Sequence, residues 1–252
     1  LDRHCFYDLV PQRFLLEYCE VKNKITEHVI KKYDIPENYT FMRNLAEFTY
    51  NIQQQKLNLD YAEIARESHQ LKTRNFLRKS KYIKPYISYN IYGTKTGRMT
   101  THKRSFPILT LDADYRTILK PTNNYFVELD YNAAELRVLI GLSGKKQPTS
   151  DIHQWNINNI YRGIGTRAEA KKRIFAWLYN PKSKDYLSNR HYDRDGVLTK
   201  HFNGQQVTTF YNRKIEADKH HALNYLIQST TSDLVLSRAF DIVDKLKDKK
   251  SF

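Results

Sequence analysis

Two groups of side chains in this sequence have the types and spacing to handle a charged, flat ligand. The first is Asp130, which closes the aromatic and aliphatic run Tyr125-Phe-Val-Glu-Leu129. A carboxylate held where a strand gives way to a helix suits a metal ligand, because Mg²⁺ takes oxygen ligands, commonly one or two carboxylates plus phosphates. The same Asp could equally cap the helix that follows. The second group is Arg167, Lys171, Phe175 and Tyr179, which step by four and so wind slowly along one helix face. The cations come first, at the end where a helix favours anions, and the rings come last. A phosphate tail with a flat base fits that order; so does a surface helix with a mixed face.

Three weaker signals accompany them. In Gly93-Thr-Lys-Thr-Gly-Arg-Met-Thr-Thr101, Gly97 lets the backbone approach a ligand closely and Arg98 offers a donor fork suited to phosphate, although a plain glycine hairpin reads the same way. Asn224 and Gln228 place two amides one helical turn apart; amides can bond base edges or sugars and are also common on surfaces. Lys72, Arg74, Arg78, Lys79, Lys81 and Lys84 are interleaved with Phe76, Tyr82 and Tyr86. That run could track a phosphate backbone or form a solvated face.

The elements that must position these groups follow from periodicity. Residues 125–130, aromatic and aliphatic up to Asp130, read as a strand, and Ala134, Leu136, Leu139, Ile140 and Leu142 then fall at helical spacings. Residues 1–80 read as helical: Phe14, Leu15, Tyr18 and Val21 form one apolar stripe, and Ile25, Val29 and Ile30 another. Pro36 and Asn38 break the pattern before it resumes from Phe41 to Leu57. Thr166 is placed to cap a helix over residues 167–179, and a helix is expected from Trp155 to Tyr161. Asn203-Gly204 predicts a hairpin turn between Leu198–Phe202 and Val207–Tyr211, and Asp193-Arg-Asp-Gly196 reads as a turn. A long helix is expected from Glu216 to about Lys247.

With 42 basic against 27 acidic residues the formal charge is 42 − 27 = +15, carried on 252 residues with 19 Tyr and 12 Phe. So basic and aromatic a chain points to a polyanion partner. Cys5 and Cys19 make neither a disulfide framework nor a metal cluster, which fits a reducing, cytoplasmic setting. No run approaches a membrane span and no signal peptide opens the chain, so no membrane partner is expected. A start at Leu1 predicts a piece of something longer.

In order, these pieces resemble the family A DNA polymerases, most of all phage-type members. Thr94-Lys-Thr-Gly-Arg-Met-Thr-Thr101 resembles T-x-T-G-R-L-S-S, and Asp130-Tyr-Asn-Ala-Ala-Glu-Leu-Arg137 resembles D-Y-S-Q-I-E-L-R. Asp151-Ile-His153 matches the D-I-H start of the fingers, Arg167-x3-Lys171-x3-Phe175-x3-Tyr179 the nucleotide-binding helix, and Asn224-x3-Gln228 with Asp233 the N-x3-Q-G-T-x2-D helix. The resemblance implies an α+β right-hand architecture: a helical thumb-like region (1–85), a palm with an antiparallel sheet (86–145), reduced helical fingers (146–215) and a palm helix (216–252). It implies template-directed DNA synthesis from dNTPs on primer–template DNA. Asp130 and the carbonyl of Tyr131 would hold two Mg²⁺ ions. Glu135 would crowd the sugar 2′ position; His153, Arg167 and Lys171 would bind the triphosphate; Phe175 and Tyr179 would pack on sugar and base. Thr94, Arg98, Asn224 and Gln228 would meet the DNA.

The sequence also departs from the family. Ala133 stands where Gln is frequent, Ser105–Thr110 replaces an Asn/Gln-rich element, Asn180 replaces Gly, and His220 replaces Arg. The third palm motif, His-Asp-Glu or His-Asp-Ser, does not occur here, nor does a 3′–5′ exonuclease segment. The expectation is that this chain alone is inactive or nearly so and that a second polypeptide or further residues complete the palm. A degenerate polymerase that only binds DNA or scaffolds a replisome is the alternative; an RNA-synthesising relative is disfavoured by Glu135.

Overall fold

In the computed structural model, which describes residues 6–246, helices dominate and strands occur only as short antiparallel pairs, giving an α+β class. Cys5 and the end of the expected C-terminal helix at Lys247 lie outside the described residues. The chain divides into two compact units, residues 1–40 and 41–252. In the first, a single turn, α1 (Phe6–Leu9), precedes α2 (Gln12–Lys32), which carries both expected apolar stripes yet buries no residue. Pro36 and Asn38 fall in the break before α3 (Tyr39–Gln53).

The larger unit has two apolar cores. The first gathers Ile64, Ile87, Phe106, Leu111, Tyr115 and Ile118. Around it lie β1 (Asn58–Leu59), α4 (Ala62–Ala65), α5 (Leu71–Ser80), β2 (Tyr89–Asn90), β3 (Thr100–Thr101) and β4 (Leu119–Lys120), with β1 paired to β4 and β2 to β3. Phe76 of α5 stacks on Tyr115 at 4.5 Å, which turns Arg74, Arg78 and Lys79 outward, while Lys72 meets Asp112 at 2.7 Å.

The second core holds Leu136, Leu139, Ile152, Ile174, Trp177, Tyr192, Leu226 and Ile227, most of them wholly shut off from solvent. Its helices are α6 (Ala134–Leu142), α7 (Ile152–Asn159), α8 (Arg167–Tyr179), α9 (Tyr186–His191), α10 (Arg194–His201) and α11 (Lys219–Leu246), and its hairpin is β5 (Gln206–Thr208) with β6 (Lys214–Glu216). Burying each Leu or Ile here contributes about 1.5–3 kcal/mol, so this core fixes the relative placement of the four segments that bear the candidate residues. No helix among the described residues is long and apolar enough to cross a membrane.

Three sequence expectations are corrected. Residues 125–130 form no strand: they pair with nothing among the described residues, and Tyr125, Phe126, Val127 and Leu129 are 65–84% exposed. An apolar run alone cannot make a strand without a neighbour to take its N–H and C=O groups. The expected Leu198–Tyr211 hairpin is also displaced, because Leu198 to His201 belong to α10. The Asp193 carboxylate accepts from the Gly196 N–H at 2.9 Å, so the supposed turn is a helix cap. The Asn203-Gly204 turn does form, closed by Asn203 N–H donating to the Gln206 carbonyl at 3.1 Å, but it supports one isolated bridge, Phe202 to Val207. The true hairpin comes one step later, turning through Asn212 at φ 58°.

Candidate functional site

The loop carrying Arg98 is closed at its base by β2 and β3 and held from below by a buried ion pair. Gly97 adopts φ +75°, a conformation that L side chains rarely take, and a Cβ there would come within 2.7 Å of the Arg213 guanidinium carbon. Arg213, in the β5–β6 turn, donates to both Asp233 carboxylate oxygens at 2.8 and 3.1 Å, and Ser232 Oγ donates to the Gly97 carbonyl at 3.3 Å. Burial pushes the Asp233 carboxyl up while Arg213 pulls it down. Thr94 donates its hydroxyl to the Arg98 carbonyl at 2.8 Å and so shapes the loop.

The turn into α6 is tied as firmly. Ala133 precedes the helix in the left-handed region at φ 52°. Arg137 reaches back to the Asn132 carbonyl at 2.8 Å and forward to the carbonyls of Pro148 at 2.8 Å and Ser150 at 3.0 Å. Asn132 donates to Asp151 at 2.8 Å, and Asp151 caps α7 by accepting from the N–H groups of His153 and Gln154. Asp151 also takes a bidentate pair from Arg167 at 2.7 and 3.2 Å. That guanidinium, with the α7 cap, holds the Asp151 carboxyl well below the usual carboxylate range.

Helix α8 begins with a reciprocal capping box between Thr166 and Glu169. Its exposed end carries Arg167 and Lys171; its other end carries Phe175 and Tyr179, whose rings stack at 6.0 Å and 16°. The Tyr179 hydroxyl donates to Glu135, and Arg98 Nη2 donates to the other oxygen of the same carboxylate. Burial first, and the Glu135 bond and charge second, push the Tyr179 phenol far up. The turn at 132–135 therefore meets both ends of α8: Arg167 through Asp151, and Tyr179 through Glu135. Across a helix of 13 residues, about 18 Å long, that fixes the whole stripe against the segment following Asp130.

The remaining candidates divide. His153 is 2% exposed, its ring lies 6.0 Å from that of Phe175, its Nδ1 finds no bond, and burial lowers its pKa. It sits beneath the stripe, not on it. Asn224 joins Tyr179, Arg194, His220 and Leu223 around a cleft of about 370 Å³, with its Oδ1 buried and unbonded. Gln228, one turn on, is half-buried. Asp130 is exposed, and Tyr131 lines a separate, mostly apolar cleft of about 520 Å³ with Val138, Phe210, Tyr211 and Leu234. Among the described residues no three or more His, Cys, Asp or Glu side chains gather as a metal site. One exposed carboxylate and a carbonyl do not fit a pair of Mg²⁺ ions.

No family model matches the chain, and no curated protein matches it. Sequence reading missed Asn132, Arg137, Asp151 and the Arg213–Asp233 pair as the parts that hold the site. Asn132, Arg137, Asp151 and Asp233 stood inside the quoted motifs with no role attached, and Arg213 left no signal.

Proposed function

We propose that this chain is the nucleotide- and DNA-binding part of a DNA polymerase of the family A type, acting in template-directed transfer of a nucleotide from a dNTP to a primer 3′-OH. One observation carries this reading. Arg98, Glu135 and Tyr179 come from three separate polymerase-like segments and converge in one hydrogen-bonded cluster beside the α8 stripe. In this reading Lys171, which has no acidic partner among the described residues, takes the triphosphate, with Arg167 beside it. Phe175 and Tyr179 give the base a flat apolar seat, and the Glu135 carboxylate, fixed by two donors, stands where a ribose 2′-hydroxyl would go. Arg98 and Asn224 face the duplex.

Asp130 alone does not fit two metal ions. The bare run 125–130 is where a completing strand with further carboxylates, from a second polypeptide or another segment, would pair. Primer–template binding measured by fluorescence anisotropy is expected to fall steeply with salt. Lys171→Ala is expected to weaken dNTP binding to the protein–DNA complex about tenfold, as for loss of one charged phosphate contact. A chain that binds duplex ends no better than random single strands, or ignores dNTPs, overturns the proposal. Binding of both ligands without primer extension, even with a completing segment supplied, assigns the chain to the scaffold class; where extension occurs, Asp130→Asn is expected to abolish it.

A further inference from the structure

Over 44 consecutive residues, Ser68 to Leu111, the chain carries ten Lys or Arg and no Asp or Glu, which leaves 32 basic against 27 acidic for the other 208. Two thirds of the excess positive charge, 10 of 15, therefore belongs to the segment from α5 to the β2–β3 pair. The fold gathers part of it at one place. Past the end of α5 the Tyr82 N–H donates to the Lys79 carbonyl and the Ile83 N–H to the Ser80 carbonyl, both at 3.1 Å. The Lys84 N–H then donates to the Arg104 carbonyl at 2.9 Å, which brings the turn bearing Lys103 and Arg104 against the end of α5. That turn runs from His102 to Ser105, closed by the Ser105 N–H on the His102 carbonyl at 3.1 Å, and Arg104 holds its third position at φ 65°. Glycine or asparagine usually fills such a position, so an arginine there costs conformational energy. Helix-end electrostatics favour Arg78 and Lys79 in the last turn of α5; that account does not reach Arg104, which follows a strand. Lys72 is neutralised by Asp112 and Asp114. Arg74, Arg78, Lys79, Lys81, Lys103 and Arg104 are exposed and, among the described residues, meet no carboxylate; Arg78 donates to the neutral Asn75 amide.

We propose that the end of α5 and the 102–105 turn form a second polyanion-binding surface, which holds the phosphate backbone of duplex DNA along its length and needs no strand end. The β2–β3 ladder separates it from the nucleotide cluster: Arg98 lies in the loop beyond Asn90 and Thr100, whereas Arg104 lies beyond the opposite end, past Tyr89 and Thr101. Lys and Arg side chains bond phosphates without reading bases, so the surface is indifferent to sequence. A membrane of anionic lipid fits less well, because Phe76 and Leu77 of α5 pack on the first core and leave no apolar face to insert. A single strand would use a row of exposed rings for its bases; here Phe76 and Phe106 are packed into that core, and Tyr82, 77% exposed, stands beside the cations. The inference does not rest on the nucleotide reading, since it uses neither α8 nor a 3′ end.

The test is fluorescence anisotropy of the full chain with a covalently closed dumbbell duplex, which offers no 3′ end, over a salt series and without dNTP. The wild type is expected to bind it at low salt. Lys79→Gln, Lys81→Gln and Lys103→Gln are each expected to make the slope of log affinity against log salt shallower by about 0.9, and together to weaken binding at least about tenfold. Arg104→Gly separates binding from folding: it is expected to weaken binding about threefold while raising the urea midpoint, because glycine accepts the positive φ. A triple variant that keeps wild-type affinity and slope overturns the proposal, as does full affinity in Arg104→Gly. Tighter binding to a single strand of the same length, or to phosphatidylserine vesicles, overturns the choice of duplex DNA and the proposal with it. A wild type that binds primer–template but ignores the dumbbell overturns this surface and leaves the polymerase reading intact.

Discussion

Residues 125–130 and 134–142 are neighbours in sequence and similarly apolar, yet they end in opposite environments. In α6, Leu136 and Leu139 are wholly buried and Glu135 and Arg137 are bonded on every side. A few residues earlier, Tyr125 to Leu129 stand in solvent. The difference lies in how each satisfies its backbone. A helix closes its own hydrogen bonds and needs neighbours only for its side chains, whereas a strand needs a second strand for both. Apolar content decides burial only where the backbone is already provided for.

Amide exchange gives the sharpest contrast. Protons of residues 137–142 are expected to exchange at least about a thousandfold more slowly than those of 125–130, as core amides follow global unfolding and unpaired ones do not; similar rates would break the comparison. Substitution should separate the segments next. Leu139→Ala is expected to cost about 2–5 kcal/mol in urea unfolding, and Leu129→Ala to stay within about 0.5 kcal/mol. The prop beneath the site belongs with the buried half: Gly97→Ala is expected to cost about 1–3 kcal/mol through its positive φ and its approach to Arg213.

The smallest effect is on pH. Burial holds His153 and His191 below the ordinary 6.5, so the unfolded chain takes up their protons first. Their stabilising contribution is complete above that value and is lost as pH falls toward the folded values. The urea midpoint is expected to drop between pH 7 and 5, and His153→Leu to flatten the drop; an unchanged slope would remove His153 from the account.

Much of the site-bearing scaffold was legible in the sequence. Thr166 announced the cap of α8, its four-residue spacing announced the stripe, and the apolar period announced α6 and α11. What escaped was pairing between distant segments. Nothing in the spacing ties Arg167 to Asp151, or Arg213 to Asp233 twenty positions on, because those contacts exist only after the second core has assembled. The buried position of His153 escaped for a related reason: Ile152, His153, Asn156 and Ile157 form the inward face of α7, and a histidine among them reads as polar until the face is known. Leu198 to His201 misled because strand-like residues were overruled by the Asp193 cap upstream.

The pairing of Arg98 with Glu135 and of Arg167 with Asp151 bears on how the molecule would meet a nucleic acid. A cation already neutralised by a carboxylate holds little of the ion atmosphere, so moving it onto a phosphate exchanges one partner for another and frees few counterions. The slope of log affinity against log salt should then be shallower than a count of the basic residues on that face implies.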